Sequence, residues 1–502
     1  MFLLFTYRIL LHLKYLACPS VVFMRKIFAT NLIFLLLLNV VIKPLWIFAI
    51  DRNVQIALGA QEYGFYFALF NFSLLFNFLL DLGITNFNNR EISYYPHMIS
   101  QQFSSIVVIK LALAIIYLLV TVGFAVALGF GSRHIALLAV LTLNQVLASF
   151  LLFIRSNLNG LQLFKADSIL SVMDKALVIV LVSFLLWGNL NFRFTVEMFA
   201  LTQTISYLIT IAIAFWLLKG KYSIAIYRQF DRFTIAGLVK KGFPFAVLVL
   251  LMTLYSRLDT VLIERLSPDG AVSAGIYAQA FRLFDAFNMY SYLFAALMLP
   301  IFARMMSNHE DIKDIFNFSV HLLLIPVIAI AIPTMIYRYP VMTILYHEHI
   351  EISAKALVLL MGSFIFVAFA YLFGTALTAM GKIWLLCRIS LVVVIFSFLS
   401  NVMLIPRFGI LGAAVANLVA NGLAAILQGY FFIQNQKGVI GRSSALKISL
   451  YVSLYLLVCL TVRYTIGNNL VGFLISTASS LIIIFGLRLL TIKTVYSFVK
   501  GI

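Results

Sequence analysis

Residues 105–130 read SIVVIKLALAIIYLLVTVGFAVALGF, a run in which Lys110 is the one charge. A helix rises 1.5 Å per residue, so about 20 such residues suffice to cross the roughly 30 Å hydrocarbon layer of a bilayer. Similar runs recur along the chain, separated by short polar breaks. They give fourteen candidate spans, near 28–50, 63–83, 105–130, 134–154, 168–188, 196–218, 242–263, 275–302, 316–337, 355–380, 383–405, 409–433, 445–466 and 469–490. The strict alternation over about ten residues that marks a barrel strand is absent from them.

Composition agrees. The 502 residues are 63% hydrophobic and 11% charged, against about 45–50% and 25% in soluble domains. No hydrophilic stretch reaches the roughly 50 residues of a small soluble domain, which excludes a fused ATPase, nuclease or soluble transferase. A phosphate-cradling G-x-x-x-x-G-K-[ST] motif is also missing, so ATP is not the direct energy source. Cys18, Cys387 and Cys459 stand far apart in apolar surroundings, which is neither a disulfide framework nor a zinc spacing. His347-Glu348-His349 falls in a loop rather than at i, i+4 on a helix and reads as solvated, so no metal site is expected. The net charge of +19 reflects basic loops facing anionic lipid rather than nucleic acid.

With the N-terminus in the cytoplasm, the outer loops hold only Arg52, Arg133, Arg193, Arg265, Arg338, Lys355, Arg407 and Arg463. The cytoplasmic side then carries roughly three times as many basic residues, the bias expected of inward-facing loops. Both termini fall inside. Residues 1–23, interrupted by Arg8, His12 and Lys14, make a poor span and lack a small-residue cleavage site. They read as an extension ahead of a start at Met24, or alternatively as an amphipathic helix on the membrane surface.

The two halves of the chain echo one another. Gly64-Phe65-Tyr66-Phe67-Ala68-Leu69-Phe70 follows the first span as Gly275-Ile276-Tyr277-Ala278-Gln279-Ala280-Phe281 follows the seventh. Six spans per half is an even number, so both halves share one topology, related by an axis along the membrane normal with a site between them. The expected fold class is an all-α polytopic membrane protein of about 14 transmembrane helices. Two six-helix lobes in parallel pseudo-repeat surround a central cavity, and two C-terminal helices are added. The expected divisions are 1–23, an N-lobe over 24–218, a cytoplasmic amphipathic linker over 219–241, a C-lobe over 242–434, and two further spans with a tail over 435–502.

Ionisable groups inside spans cost about 2.5–3.5 kcal/mol on insertion scales and normally face a partner or a wet cavity. In the seventh span Thr253, Arg257, Thr260 and Glu264 share a helical face, while Asp259 lies roughly 200° around from Arg257. The eighth span carries Arg282, Asp285, Asn288 and Tyr292, and the second Ser73, Asn77 and Asp81. Asn39 and Lys43 precede Pro44 in the first. These stripes fall on equivalent spans of the two halves, which favours a shared cavity over isolated interhelical glue such as an Arg282–Asp285 pair. Arg257, Arg282, Lys43 and, at a mouth, Arg52 make the cavity cationic. Guanidinium groups offer forked donors suited to phosphate, so an anionic headgroup is the expected ligand. Asp259 or Asp285 is placed to take up a coupling H+ or Na+. Asp81, Asn77, Asn39 and Asn288 complete the polar lining. No other cofactor is expected.

The chain resembles the polysaccharide (O-antigen type) flippases of the multidrug/oligosaccharidyl-lipid/polysaccharide exporter superfamily, from Met24 onward. The carriers are Gly64 with Tyr66, Asp81-Leu82-Gly83-Ile84, Arg257-Leu258-Asp259-Thr260-Val261-Leu262-Ile263, Gly275-Ile276-Tyr277-Ala278 with Arg282, and Pro406-Arg407-Phe408-Gly409-Ile410-Leu411-Gly412-Ala413-Ala414. The resemblance implies a V-shaped bundle with spans 1, 2, 7 and 8 around the lumen. It implies alternating access carrying an undecaprenyl-diphosphate-linked oligosaccharide across a bacterial inner membrane. Arg257, Arg282 and, by extension, Lys43 and Arg52 would meet the diphosphate. Membrane lipids, a glycan polymerase and glycosyltransferases of the same pathway are the implied partners. A peptidoglycan-precursor flippase, a multidrug or cation antiporter and a membrane polysaccharide polymerase stand as alternatives. The basic residues of spans 7 and 8 speak against the antiporter, and the short outer loops against the polymerase.

Overall fold

Lipid offers no hydrogen-bond partners, so a chain this apolar must close its backbone bonds within helices. The computed structural model describes residues 38, 41–42, 44–95, 99–188, 193–219, 232–436, 438–439, 441–487 and 489. Among these it forms helices and no strand. A π-helical turn (Trp46–Asp51) leads into α1 (Arg52–Leu75), a 3-10 turn (Asn77–Leu80), α2 (Ile84–Tyr94), α3 (Ile99–Ala127), α4 (Ser132–Gly160), α5 (Phe164–Trp187) and α6 (Val196–Lys219). The second half comprises α7 (Arg232–Leu266), α8 (Gly270–Ser307), α9 (Lys313–Ile336), the short α10 (Arg338–Leu345), α11 (Ile350–Ala379) and α12 (Ile383–Asn435). It ends with α13 (Arg442–Thr465) and α14 (Asn469–Gly486).

Eleven of the described helices are long and apolar enough to cross a membrane. α12 is two spans joined at Gly409 (φ 56°, ψ −130°), three residues after Pro406. Gly59 (φ 75°, ψ 169°) likewise divides the end of the first span from the second within α1. Both turns use a backbone region that only glycine adopts freely. With these divisions the described helices account for the second to the fourteenth expected spans. The extension 1–23 lies outside the described residues, as does most of the linker. α7 starts at Arg232, ten residues ahead of the expected boundary, so the basic stretch up to Lys241 continues into the seventh span as one helix.

Prolines in α9 show how the two added helices attach. Pro326 and Pro333 lie inside that helix and leave the carbonyls four residues earlier without their usual N–H donors. Tyr290 of α8 donates its hydroxyl to Leu322 O at 2.6 Å, and Tyr455 of α13 donates to Ala329 O at 2.9 Å. Tyr455 is fully buried and stacks on Tyr451 at 5.5 Å. Tyr455→Phe should strand the Ala329 carbonyl and cost about 1–3 kcal/mol, read as a lower unfolding temperature in detergent. Adding Pro333→Ala, which restores the helical donor, should recover most of that loss.

Two glycine contacts set the relation between the lobes. Gly64 of α1 and Gly275 of α8, equivalent in the repeat, press backbone to backbone. A Cβ on Gly64 would lie 1.8 Å from Ala271 O, and one on Gly275 would lie 1.9 Å from Ala60 O. Toward the opposite end, a Cβ on Gly242 of α7 would lie 2.4 Å from Leu82 O. The second contact depends on a break in the second span, where Leu82 (φ 45°) and Gly83 (φ 84°) leave the helical region. Non-helical backbone at membrane depth survives only with protein partners. Here Lys110, 2% exposed, donates to Leu80 O at 3.2 Å, and Ser149 donates to the same oxygen at 3.1 Å.

Candidate functional site

The pseudo-repeat places one tyrosine in each lobe as an internal anchor. Tyr66 Oη accepts from Gln203 Nε2 on α6 at 2.9 Å. Its counterpart Tyr277 donates to Asp259 Oδ2 at 2.6 Å, and Asn417 Nδ2 on α12 donates to the same oxygen at 2.9 Å. The Thr260 backbone N–H supplies a third donor to Asp259, at 2.7 Å to Oδ1. Asp259 is 1% exposed. It sits inside the C-lobe, in a polar cluster that continues through Ser363 and Asn421.

Arg257 points the other way, as the 200° offset requires. Its Nη1 lies 2.8 Å from Asp285 Oδ2 and 3.4 Å from Asn71 Oδ1 across the lobe boundary. Both members of the ion pair stay partly accessible, at 24% and 21% of the side chain. Arg282 makes the second contact between lobes. Its Nε donates to Tyr63 Oη at 2.9 Å and lies 3.0 Å from Asp51 Oδ2. Tyr63 donates in turn to both Asp51 oxygens, at 3.0 and 2.9 Å, and Gln55 donates to Oδ2 at 3.3 Å. The rings between the arginines form a bridge. Arg257 lies over Phe281 at 5.4 Å, Phe281 meets Phe67 at 5.9 Å, and Arg282 lies over Phe67 at 4.9 Å. Cation–π contacts of this kind favour a desolvated guanidinium by about 2 kcal/mol.

The sequence-predicted residues therefore separate into groups. Arg257, Asp285 and Arg282 come together at the lobe junction. Asn288, three residues beyond Asp285 on α8, has a buried Oδ1 with no hydrogen-bond partner among the described residues. Asp259 lies behind, in the C-lobe interior. Asp81 pairs with Lys110 Nζ at 2.9 Å and caps α2 through the Thr85 backbone N–H at 3.2 Å, so its partners belong to the N-lobe. Asn77 donates weakly to Gln145 Oε1 at 3.4 Å. Arg52 donates to the carbonyls of Leu345 and Ile344 at the end of α10, which ties the first span to the C-lobe at the rim. Asn39 and Lys43 lie outside the described residues.

Sequence reasoning passed over Asp51, Tyr63 and Asn71. Asp51 was hidden beside Arg52 in what reads as a loop boundary, and Tyr63 and Asn71 resemble ordinary aromatic and amide positions of an apolar run. The repeat was the available signal, because it brings Gly64 against Gly275 and so carries the neighbours of Gly64 to Arg282. Lys175, inside α5, was passed over as well. It lies 3.3 Å from Asp174 Oδ2 and 5.8 Å from the centre of the Trp46 ring.

At the end where α7 turns into α8, further charges cross the boundary. His134 of α4 lies 3.5 Å from Glu264 of α7, and Arg265 stacks over Phe130 at 3.7 Å. Within the N-lobe at the same end, Arg133 grips Glu62 bidentately at 3.0 and 2.6 Å. The arrangement places Arg257 and Arg282 at the junction of two helical bundles that are pressed together at this end.

Residues 28–306 match the family described as polysaccharide biosynthesis protein. A curated relative, named "Probable low-salt glycan biosynthesis flippase Agl15" from Haloferax volcanii, is 25% identical over 179 residues, or 35% of this chain and 38% of that protein. The match thus spans well under half the length of that relative. Among solved structures, the lipid II flippase MurJ in an inward closed conformation superposes with a TM-score of 0.67 at 16% identity. The superposition covers 91% of this chain and 98% of that one. An inward-facing multidrug resistance transporter of the MATE family, of the MOP superfamily, gives a TM-score of 0.60 at 14% identity over 81% and 95% of the two chains. The chain has the fold of these transporters: all-helical, membrane-spanning and two-lobed.

Proposed function

The chain belongs to the polysaccharide biosynthesis protein family, and from that premise we propose that it is a flippase for a diphosphate-linked oligosaccharide. The observation that carries the reading is the pair Arg257 and Arg282 at the lobe junction. Each guanidinium is held at one nitrogen, by Asp285 and Asn71 in one case and by Asp51 and Tyr63 in the other. Their remaining N–H groups donate to no acceptor among the described residues and suit the oxygens of a diphosphate. The lipid tail stays in the bilayer while the headgroup passes between the lobes, so neither charge nor sugar crosses hydrocarbon unaccompanied. The process is a transport step with no chemical conversion.

In this reading the carried lipid is undecaprenyl-diphosphate-linked, and the glycan is a surface polysaccharide repeat unit of the O-antigen or lipopolysaccharide type. The membrane is a bacterial inner membrane, with both termini cytoplasmic as the Lys and Arg distribution favours. Glycosyltransferases supply the substrate and a polymerase consumes it. An H+ or Na+ gradient drives the cycle, with Asp259 as the coupling carboxylate. Its donors, from Thr260, Tyr277 and Asn417, are all neutral, so a cation bound beside it would meet a buried charge that no described side chain neutralises. The similarity in fold to a lipid II flippase supports a second reading, peptidoglycan precursor as cargo, which shares the diphosphate chemistry.

The test is a leaflet assay in depleted cells. A membrane-impermeant glycan probe is applied to intact spheroplasts and again after lysis. Trapped substrate should be labelled at least tenfold more after lysis. Equal labelling before and after lysis would move the protein to a step beyond translocation. The glycan on the trapped lipid separates the two cargoes.

A further inference from the structure

Asp51 is the least expected charge in the molecule, a carboxylate 1% exposed on the N-lobe whose one cationic partner among the described residues lies on the C-lobe. Arg282, the partner, keeps 14% of its side chain accessible. It lies seven residues along α8 from Gly275, hence about 10 Å from the glycine crossing. Through Tyr63, the neighbour of Gly64, the tie holds α8 to the segment that the crossing presses against it, and through Asp51 it adds the end of the first span. Only Nε of Arg282 is engaged, by Asp51 and Tyr63, and its two terminal amino groups donate to no acceptor among the described residues.

We infer that Asp51 is a built-in stand-in for the anionic headgroup. It occupies Arg282 while the lobes are closed at this end, and a ligand must outbid it there to open them. The inference rests on the flippase reading and adds a specificity-determining residue and a release step to it. A diphosphate offers more negative charge than a carboxylate, and several oxygens for the two free amino groups. A neutral ligand gains nothing at Arg282 that Asp51 does not already provide, and a monophosphate offers less charge and fewer oxygens than a diphosphate. Once Arg282 turns to the diphosphate, Asp51 is left as a buried charge with only the neutral donors Tyr63 and Gln55, a state relieved by water entering as the lobes part. The ligand thus binds the opened arrangement better than the closed one, which is the condition for it to shift the equilibrium. Tyr63, with its hydroxyl between the two charges, positions Asp51 rather than touching the ligand.

The experiment uses the full chain in nanodiscs, with Cys18, Cys387 and Cys459 replaced by serine. Spin labels go on Ser132→Cys and Pro268→Cys, two exposed sites on opposite lobes at this end. Undecaprenyl diphosphate and undecaprenyl monophosphate are titrated, with binding followed separately by radiolabelled ligand. Diphosphate should lengthen the interlabel distance, and monophosphate should need at least about tenfold more ligand for the same change. In Asp51→Asn the long distance should be populated without ligand, and the two ligands should bind within a few-fold of each other. Tyr63→Phe keeps the charges and serves if Asp51→Asn fails to fold. It should open at severalfold lower diphosphate. Diphosphate binding with no change in distance overturns the inference and leaves the flippase reading standing, as does an Asp51→Asn protein that still discriminates tenfold. Failure of the unsubstituted protein to bind diphosphate overturns both.

Discussion

Gly275→Val should abolish transport, by about 100-fold or more, in a protein that still reaches the membrane folded. A Cβ at this position would lie 1.9 Å from Ala60 O and 2.9 Å from its Cα. Both are backbone atoms of α1, so no side-chain rotation relieves the clash. The lobes must stand apart at this crossing, and any cycle that requires closure there stops. A hundredfold loss corresponds to only about 2.7 kcal/mol, less than the cost of overlapping two helix backbones. The expected readout is a permanently lengthened distance between spin labels on Ser132→Cys and Pro268→Cys, with transport absent. Gly123→Val is the matched control. Its Cβ meets nothing within 4 Å, so transport should be unchanged. Retained transport in Gly275→Val would show that the crossing does not close during the cycle.

That prediction was half legible in the sequence. The motif pairing of Gly64-Phe65-Tyr66 with Gly275-Ile276-Tyr277 marks the two segments as equivalent, and equivalent segments of a parallel repeat meet at the axis between the lobes. Hydrophobic run length alone gave the spans, because in lipid the backbone has no alternative to the helix. Which charge pairs with which was not legible. Arg282 and Asp285 are one turn apart and suggest a local pair, yet Arg282 pairs with Asp51 and Asp285 with Arg257. Local spacing says which groups share a face, whereas the partner is chosen by a neighbouring helix that no spacing reveals. Asp81 shows the same limit. Its helical stripe with Ser73 and Asn77 ends where the helix does, at the 3-10 turn Asn77–Leu80. The carboxylate then turns toward Lys110 of α3.

The sharpest separation of transport from structure lies in the Arg257–Asp285 pair. Arg257→Ala should reduce transport by about 100-fold or more. It should also destabilise the protein by roughly 1–3 kcal/mol, because it strands the Asp285 carboxylate beside an apolar bridge. The upper end of that range is discounted because both side chains remain about a fifth to a quarter exposed. Asp285→Ala alone should destabilise less, since Arg257 keeps Asn71 at 3.4 Å and the Phe281 face at 5.4 Å. The double variant Arg257→Ala with Asp285→Ala removes both charges and should recover most of the stability. Its transport is the deciding measurement. If the arginine served only to join helices, transport would return with stability. If it receives the headgroup, transport stays lost in a stable protein, and Arg257→Lys recovers only part of it, since an ammonium supplies the charge without the forked donors. The neutral double variant therefore asks of one residue the question that burial and spacing leave open, whether its charge holds the lobe together or greets the cargo.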